Sequence, residues 1–355
     1  MKRSIIKKIS ISPLRASLIQ PFRVATGQHD YLENILLTLE LSDGTKGFGE
    51  AAVATHMTGE TIPETKRNLR LVGQSLLGQD SGGYFKISEE LHERLPKNKA
   101  AIAAIEMSLM DALTKQWEIP LWRFFGLKPQ ALVSDITIVI ADLEETEAAT
   151  KKFYQQGFRT FKVKIGRDFD LDLKRVLTVR RLTKNSRIIL DANQGFTATE
   201  ALRFIRLLKR EGVVPVLIEQ PVPKMDWAGL KRVTRLGGIA VCADETVSSF
   251  ADAVKAIREK AVDAINIKLM KTGLFQARKI ALLAKANGLK LMIGGMMESS
   301  LAMMASAHLA AGLRCFDFID LDTPFFIAGG LKGNPFLSQQ GIYNLKKVKM
   351  GIGIK

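Results

Sequence analysis

From Phe161 to Lys268 the chain repeats one design, a short apolar run closed by an ionisable residue. The runs close at Lys164, Asp191, Glu219, Asp244 and Lys268, about 24 to 28 residues apart. That interval is what one strand, one helix and two short turns require, so the repeat predicts consecutive βα units. The pattern extends in both directions. Strands are predicted near 135–140, 160–164, 187–191, 215–219, 239–243, 264–268, 290–294 and 316–320. Helices are predicted over 144–156, 170–183, 197–211, 226–236, 248–258, 274–287 and 299–311. Eight strands with seven helices between them, and none evident after the eighth, predict an α/β fold, a modified TIM barrel of the (β/α)7β type.

The first 130 residues follow another pattern. Strands are predicted over 4–12 and 34–50, with Ser42-Asp43-Gly44-Thr45 as a hairpin turn, and helices over 60–77, 84–94 and 98–117. This is an N-terminal α+β capping domain, residues 1–130, ahead of a barrel over 131–329. A Gly-rich segment, 330–355, is expected to return to the capping domain. Two stretches read as connections: Arg23 to Asp30, with Thr26 and Gly27, and Ala51 to Glu60, with His56.

Composition narrows the function classes. A net charge of +16 raises the question of polyanions, but there is no basic tail and aromatic content is 7%. A solvated basic surface is expected rather than a nucleic-acid partner. The two cysteines, Cys242 and Cys315, lie in apolar runs without metal-ligand spacing, which predicts buried thiols in a reducing cytosol. No apolar run approaches the ~20 residues that span a bilayer, and no signal-peptide pattern occurs. A cytoplasmic protein without a membrane partner is expected.

In a barrel the strand ends form one rim, so the five terminal charges converge. Asp191, Glu219 and Asp244 end three successive strands. An ordinary rim salt bridge would account for any one of them, but three together repel unless a cation joins them, and oxygen-only ligands favour Mg2+. Lys164 and Lys268 lie on opposite sides of this expected metal site. Lys162, two residues before Lys164, points to the same face. The two neighbouring ammonium groups are expected to lower each other's pKa and supply a neutral lysine as base.

These residues resemble the enolase superfamily, in its muconate-lactonising-enzyme subgroup. The match rests on Lys162-Val163-Lys164, Asp191-Ala192-Asn193-Gln194, Glu219-Gln220-Pro221, Asp244-Glu245 and Lys268-Leu269-Met270-Lys271-Thr272-Gly273. The resemblance implies one Mg2+ per subunit on Asp191, Glu219 and Asp244. It also implies lysine acid–base chemistry at a carbon next to a carboxylate, through an enediolate.

The eighth strand ends with Asp320 and Asp322 on one face, and the seventh is followed by Glu298, a further carboxylate expected at the mouth. An Asp-x-Asp at this point resembles the dipeptide epimerases, where the pair binds the substrate's ammonium group. Ala-Glu epimerases carry an arginine in the first loop of the capping domain, where this chain has Gly27, and Arg23 is out of register. The expectation is therefore a dipeptide epimerase acting on a small or hydrophobic C-terminal residue, with Thr26, Gly27 and His56 near the side chain. A homo-oligomer completes this reading. Two alternatives stay open: another subgroup reaction (o-succinylbenzoate synthase, N-acylamino-acid racemase or cycloisomerase) and a non-catalytic basic binding protein.

Overall fold

The computed structural model describes residues 4–354. An antiparallel sheet opens the chain, with β1 Ile6–Val24, β2 Gly27–Leu41 and β3 Lys46–Ala51 in that order. Its first hairpin is much longer than expected. The stretch taken as a connection, Arg23 to Asp30, is the hairpin's end, with Val24 paired to Gly27 across a two-residue turn. The pairing is irregular between Ser17 and Phe22, where Pro21 cannot donate to the ladder. Only Ile6, Phe22 and Val24 of β1 are buried and the rest is exposed or half-buried, so beyond Ser12 its sequence carries only a weak strand signal.

Five helices follow: α1 Thr55–Thr58, α2 Ile62–Leu76, α3 Tyr84–Arg94, α4 Lys99–Gln116 and α5 Leu121–Phe125. Buried almost all round, α4 lies between the sheet and the barrel. Gly47 and Gly49 of β3 allow close approach to it: a Cβ would sit 1.9 Å from the Ser108 carbonyl at the first and 2.0 Å from the Ala104 carbonyl at the second. On its other side, Glu106 accepts from the backbone N–H of Leu274 (2.6 Å) and Phe275 (3.1 Å).

After a short strand β4, Leu132–Val133, come the barrel strands β5 Ile136–Ile138, β6 Thr160–Lys164, β7 Arg187–Asp191, β8 Leu217–Glu219, β9 Ala240–Ala243, β10 Ala264–Lys268, β11 Lys290–Gly294 and β12 Phe318–Ile319. Between them lie α6 Leu143–Gln156, α7 Phe169–Leu182, α8 Ala198–Arg210, α9 Trp227–Gly237, α10 Phe250–Glu259, α11 Leu269–Ala286 and α12 Ser300–Leu313. The strands pair in parallel in chain order. The first meets the eighth through Asp135 N–H to Ile319 O, 2.8 Å. The (β/α)7β expectation is borne out. One barrel boundary differs by more than two residues: α11 starts directly after Lys268 and breaks at Gly273, whose φ is 71°.

The tail pairs β13, Ile342–Tyr343, with β4. It also exchanges backbone bonds between Gly351 and both Ile119 and Leu121. Beside them His308 on α12 accepts from Trp122 N–H at Nδ1 and donates from Nε2 to Ile352 O. No helix among the described residues is long and apolar enough to cross a membrane.

Candidate active site

The floor of the site is apolar. Ile189, Leu217, Cys242, Ala264, Met292 and Phe318 form a separate cluster, one residue from each of six successive strands. Strand side chains repeat every second residue on one face. Two residues on, the same face therefore presents Asp191, Glu219, Asp244, Asn266, Gly294 and Asp320, the next layer up. Lys162 and Lys164 reach this layer from β6 and Lys268 from β10.

All three lysines are nearly buried and paired. Lys164 Nζ donates to Asp191 Oδ2 (2.6 Å) and Asn193 Oδ1 (3.0 Å), and Lys268 Nζ to Asp244 Oδ2 (2.7 Å). Lys162 Nζ lies 3.0 Å from Asp191, 2.8 Å from Glu219 and 2.7 Å from Asp320. A fourth lysine, Lys271, holds Asp244 Oδ1 at 2.7 Å and the Asn266 carbonyl at 2.9 Å.

Among the protein's own groups, without the cation near which the depression was expected, the pKa of Lys162 is not lowered by Lys164. Burial works against its charge, but Asp191, Asp320 and Glu219 raise its pKa well above the usual value. At Lys268 burial is likewise overridden, by Asp244 and Glu219, and the pKa is raised. The carboxylates split. Burial opposes ionisation of Asp191 and Asp244, yet Lys162 and Lys164 hold the first down at about 2, and Lys268 and Lys271 hold the second below the usual range. Burial and then the Asp191 charge push Glu219 up to about 7, and burial and Asp244 push Glu245 up to about 8. The site is short of positive charge. Three buried oxygen donors on adjacent strands, one kept from ready ionisation by that shortage, fit a hard divalent cation.

A second acidic group is tighter. One oxygen from each of Asp135, Asp320 and Asp322 lies within 4.8 Å of the others, a spacing the expected metal ligands do not reach with lysines standing between them. Both Asp135 oxygens lack a hydrogen-bond partner. Burial, then Asp320 and Asp322, raises its pKa well above the carboxylate range. Burial and Asp320 push Asp322 up to about 6. With Asp320 committed to Lys162 and Asp322 Oδ2 accepting from Thr137 N–H at 2.6 Å, this group suits a cation arriving from the cavity above. Asp135 escaped the sequence reading; its one signal is an acid where a barrel strand begins.

The cavity joins these parts. Its polar side is formed by Thr137, Lys162, Lys164, Asn193, Lys268, Asp320, Asp322 and Thr323. Its apolar side is formed by Phe22 and Val24 of the hairpin, Ala54, Met57, Met296 and Met297, with His29 at the edge. Thr26 and Gly27 stay at the hairpin end and do not line it. Arg23 turns to Glu145 (3.5 Å) and Gln28. Glu298 is not at the mouth: the chain turns after Gly294, and the carboxylate lies buried, accepting from Met296 N–H at 2.7 Å. Burial raises its pKa to about 8. The side chain of His56 lies outside the described residues.

Residues 7–126 match the N-terminal domain of the mandelate racemase / muconate lactonizing enzyme family, and residues 144–355 match the enolase C-terminal domain-like family. The chain is 49% identical to a hydrophobic dipeptide epimerase of Citrifermentans bemidjiense, over 97% of this chain and 96% of that one. It is 41% identical to an aromatic dipeptide epimerase of Herpetosiphon aurantiacus, over 91% of each. The structure of a dipeptide epimerase from Enterococcus faecalis, in complex with Mg and L-Leu-L-Tyr, superposes with a TM-score of 0.93 at 30% identity, covering 99% of both chains. With both of its domains matched, the chain belongs to the mandelate racemase / muconate lactonizing enzyme family of the enolase superfamily.

Proposed function

We propose that the protein is a Mg2+-dependent dipeptide epimerase, inverting the α-carbon of a hydrophobic C-terminal residue. The observation that carries this is one cavity lined at once by Lys164 and Lys268, by Asp320 and Asp322, and by the apolar side chains of Phe22, Val24, Met57, Met296 and Met297. The relatives named above support the substrate class.

Asp191, Glu219 and Asp244 would hold the cation. When bound it supplies positive charge that offsets the negative charge growing on the substrate carboxylate as the α-proton leaves. Lys164 Nζ removes or returns that proton on one face, and Lys268 Nζ does so on the other. Lys162, held charged by three carboxylates, stays a cation beside the substrate carboxylate. Asp320 and Asp322 take the substrate's ammonium group, which fixes the dipeptide's direction in the cavity. Phe22, Val24, Met57, Met296 and Met297 contact the side chain. No arginine lines this wall, so a glutamate side chain would lose its hydration without a partner. The same reading makes the protein a cytoplasmic homo-oligomer without nucleic-acid or membrane partners.

The test is α-deuterium exchange in D2O across a panel of L-Ala-L-Xaa dipeptides. Hydrophobic Xaa should exchange fastest and Glu slowest. Absence of exchange with every dipeptide, or equal turnover of N-acylamino acids, would remove the assignment.

A further inference from the structure

The backbone behind one of the two lysines is held by an arginine without solvent access. Arg175 on α7 is fully buried. Its Nη1 donates to the Lys164 carbonyl at 2.7 Å and to Asp172 Oδ1 at 2.9 Å, Nη2 donates to the Val139 carbonyl, and Nε donates to Thr146 Oγ1 at 3.1 Å. Asp172, 1% exposed, extends the hold. Its Oδ2 accepts from the N–H groups of Gly166 (2.7 Å), Arg167 (3.1 Å) and Asp168 (3.3 Å). The chain leaving β6 is thus fixed at the Lys164 carbonyl and again over the next turn.

Packing alone does not call for this. The neighbouring helix α8 covers the sheet with Ala201, Phe204, Ile205 and Leu208. A buried ion pair is a poor stabiliser beside apolar residues of similar volume. Among the described residues Lys268 has no such brace at its own carbonyl, which receives one side-chain hydrogen bond, from Thr272 Oγ1 at 3.4 Å; the buried cation of the following helix, Lys271, holds the Asn266 carbonyl, two residues before Lys268. The two lysines are supported differently.

We propose that Arg175 is a positioning residue for Lys164, setting the backbone from which that lysine reaches the α-carbon, and so controls proton transfer on one face only. This rests on the two-lysine reading above. Proton transfer needs donor and acceptor within hydrogen-bond reach, and a displacement of about 1 Å can cost ~100-fold in rate.

The experiment measures α-deuterium exchange separately from the L,L and L,D epimers of one hydrophobic dipeptide, with KM and thermal midpoint, for Arg175→Lys and Arg175→Met. Lys164→Ala and Lys268→Ala establish which epimer faces which lysine. The expected result is a ~10- to 100-fold fall for the epimer facing Lys164, with the other face within about twofold and KM unchanged. Thr146→Val, which removes only the Nε contact, keeps the question answerable if the arginine variants do not fold; it should give a smaller fall on the same face. Equal falls on both faces, or none on either, overturn the positioning role alone. If the two lysine variants show no opposite selectivity, the two-lysine reading falls and this inference falls with it.

Discussion

The acid pair at the end of β12 allows a quantitative test of substrate choice. Asp322 is 3% exposed, lines the cavity, and accepts from Thr137 N–H. Asp322→Asn keeps the shape and an oxygen for that N–H but removes a charge facing the proposed ammonium. Leaving one member of a buried ion pair without its partner costs about 3–5 kcal/mol. Asp320 remains, so the loss is set lower, at about 2–3 kcal/mol, or roughly 30- to 150-fold in kcat/KM. The assay compares L-Ala-L-Leu with N-propionyl-L-leucine, the same molecule with hydrogen in place of the ammonium. The variant should lose that factor on the dipeptide and little on the propionyl compound, which the parent protein should already handle poorly. An equal loss on both substrates would refute ammonium recognition, because Asp322 would then matter for something the two share.

Chelation of divalent ions should abolish exchange and Mg2+ should restore it. A hundredfold excess of Mg2+ over its Kd should also stabilise the fold by about 2.7 kcal/mol, a shift in thermal midpoint that Glu219→Gln should lack. Burial holds His308 down at about 4, against about 6.5 in an unfolded chain. Between those values the unfolded chain binds the proton the folded one refuses, so stability falls as pH drops through that window, by about 3 kcal/mol at its lower end. Denaturant titrations at pH 7.5 and 4.5 should show this fall reduced in His308→Gln; identical pH dependence would refute the assignment. Gly49→Ala should destabilise by about 3 kcal/mol or prevent folding, since its Cβ meets the Ala104 carbonyl at 2.0 Å. A melt within a few degrees of the parent would contradict that contact.

What the chain made legible follows from how a barrel uses sequence. Each unit repeats at a fixed interval and each strand end reaches the same rim, so Lys164, Asp191, Glu219, Asp244 and Lys268 could be placed together from spacing alone. Long-range closure left no such mark. Asp135 meets Asp320 and Asp322 only because the first strand closes on the eighth, and His308 meets Trp122 and Ile352 only through the docking of three distant segments. The burial of Glu298 was not legible, because it comes from the turn after Gly294, which folds the carboxylate back onto the Met296 N–H. The charge balance at Lys162 was only partly legible: the convergence of Lys164, Asp191 and Glu219 followed from spacing, but its contact with Asp320 is set by the folded site.

The charge arrangement points to what selects the substrate. Four buried lysines, Lys162, Lys164, Lys268 and Lys271, stand among the buried carboxyl groups of Asp135, Asp191, Glu219, Asp244, Glu245, Asp320 and Asp322, of which Asp135, Glu219 and Glu245 are pushed toward their neutral forms. Even in a chain of net charge +16 the pocket is therefore short of positive charge, and the basic surface says nothing about its ligand. A divalent cation relieves the side near Glu219, whereas Asp320 has only Lys162 and Asp322 has no ion-pair partner among the described residues. A substrate with only a carboxylate would add negative charge there, whereas a free dipeptide brings an ammonium to those two aspartates and a carboxylate to the cation. An N-acylamino acid brings the carboxylate but has no ammonium for Asp320 and Asp322. The charge arrangement thus separates dipeptide epimerisation from reactions on substrates that carry a carboxylate and no free ammonium.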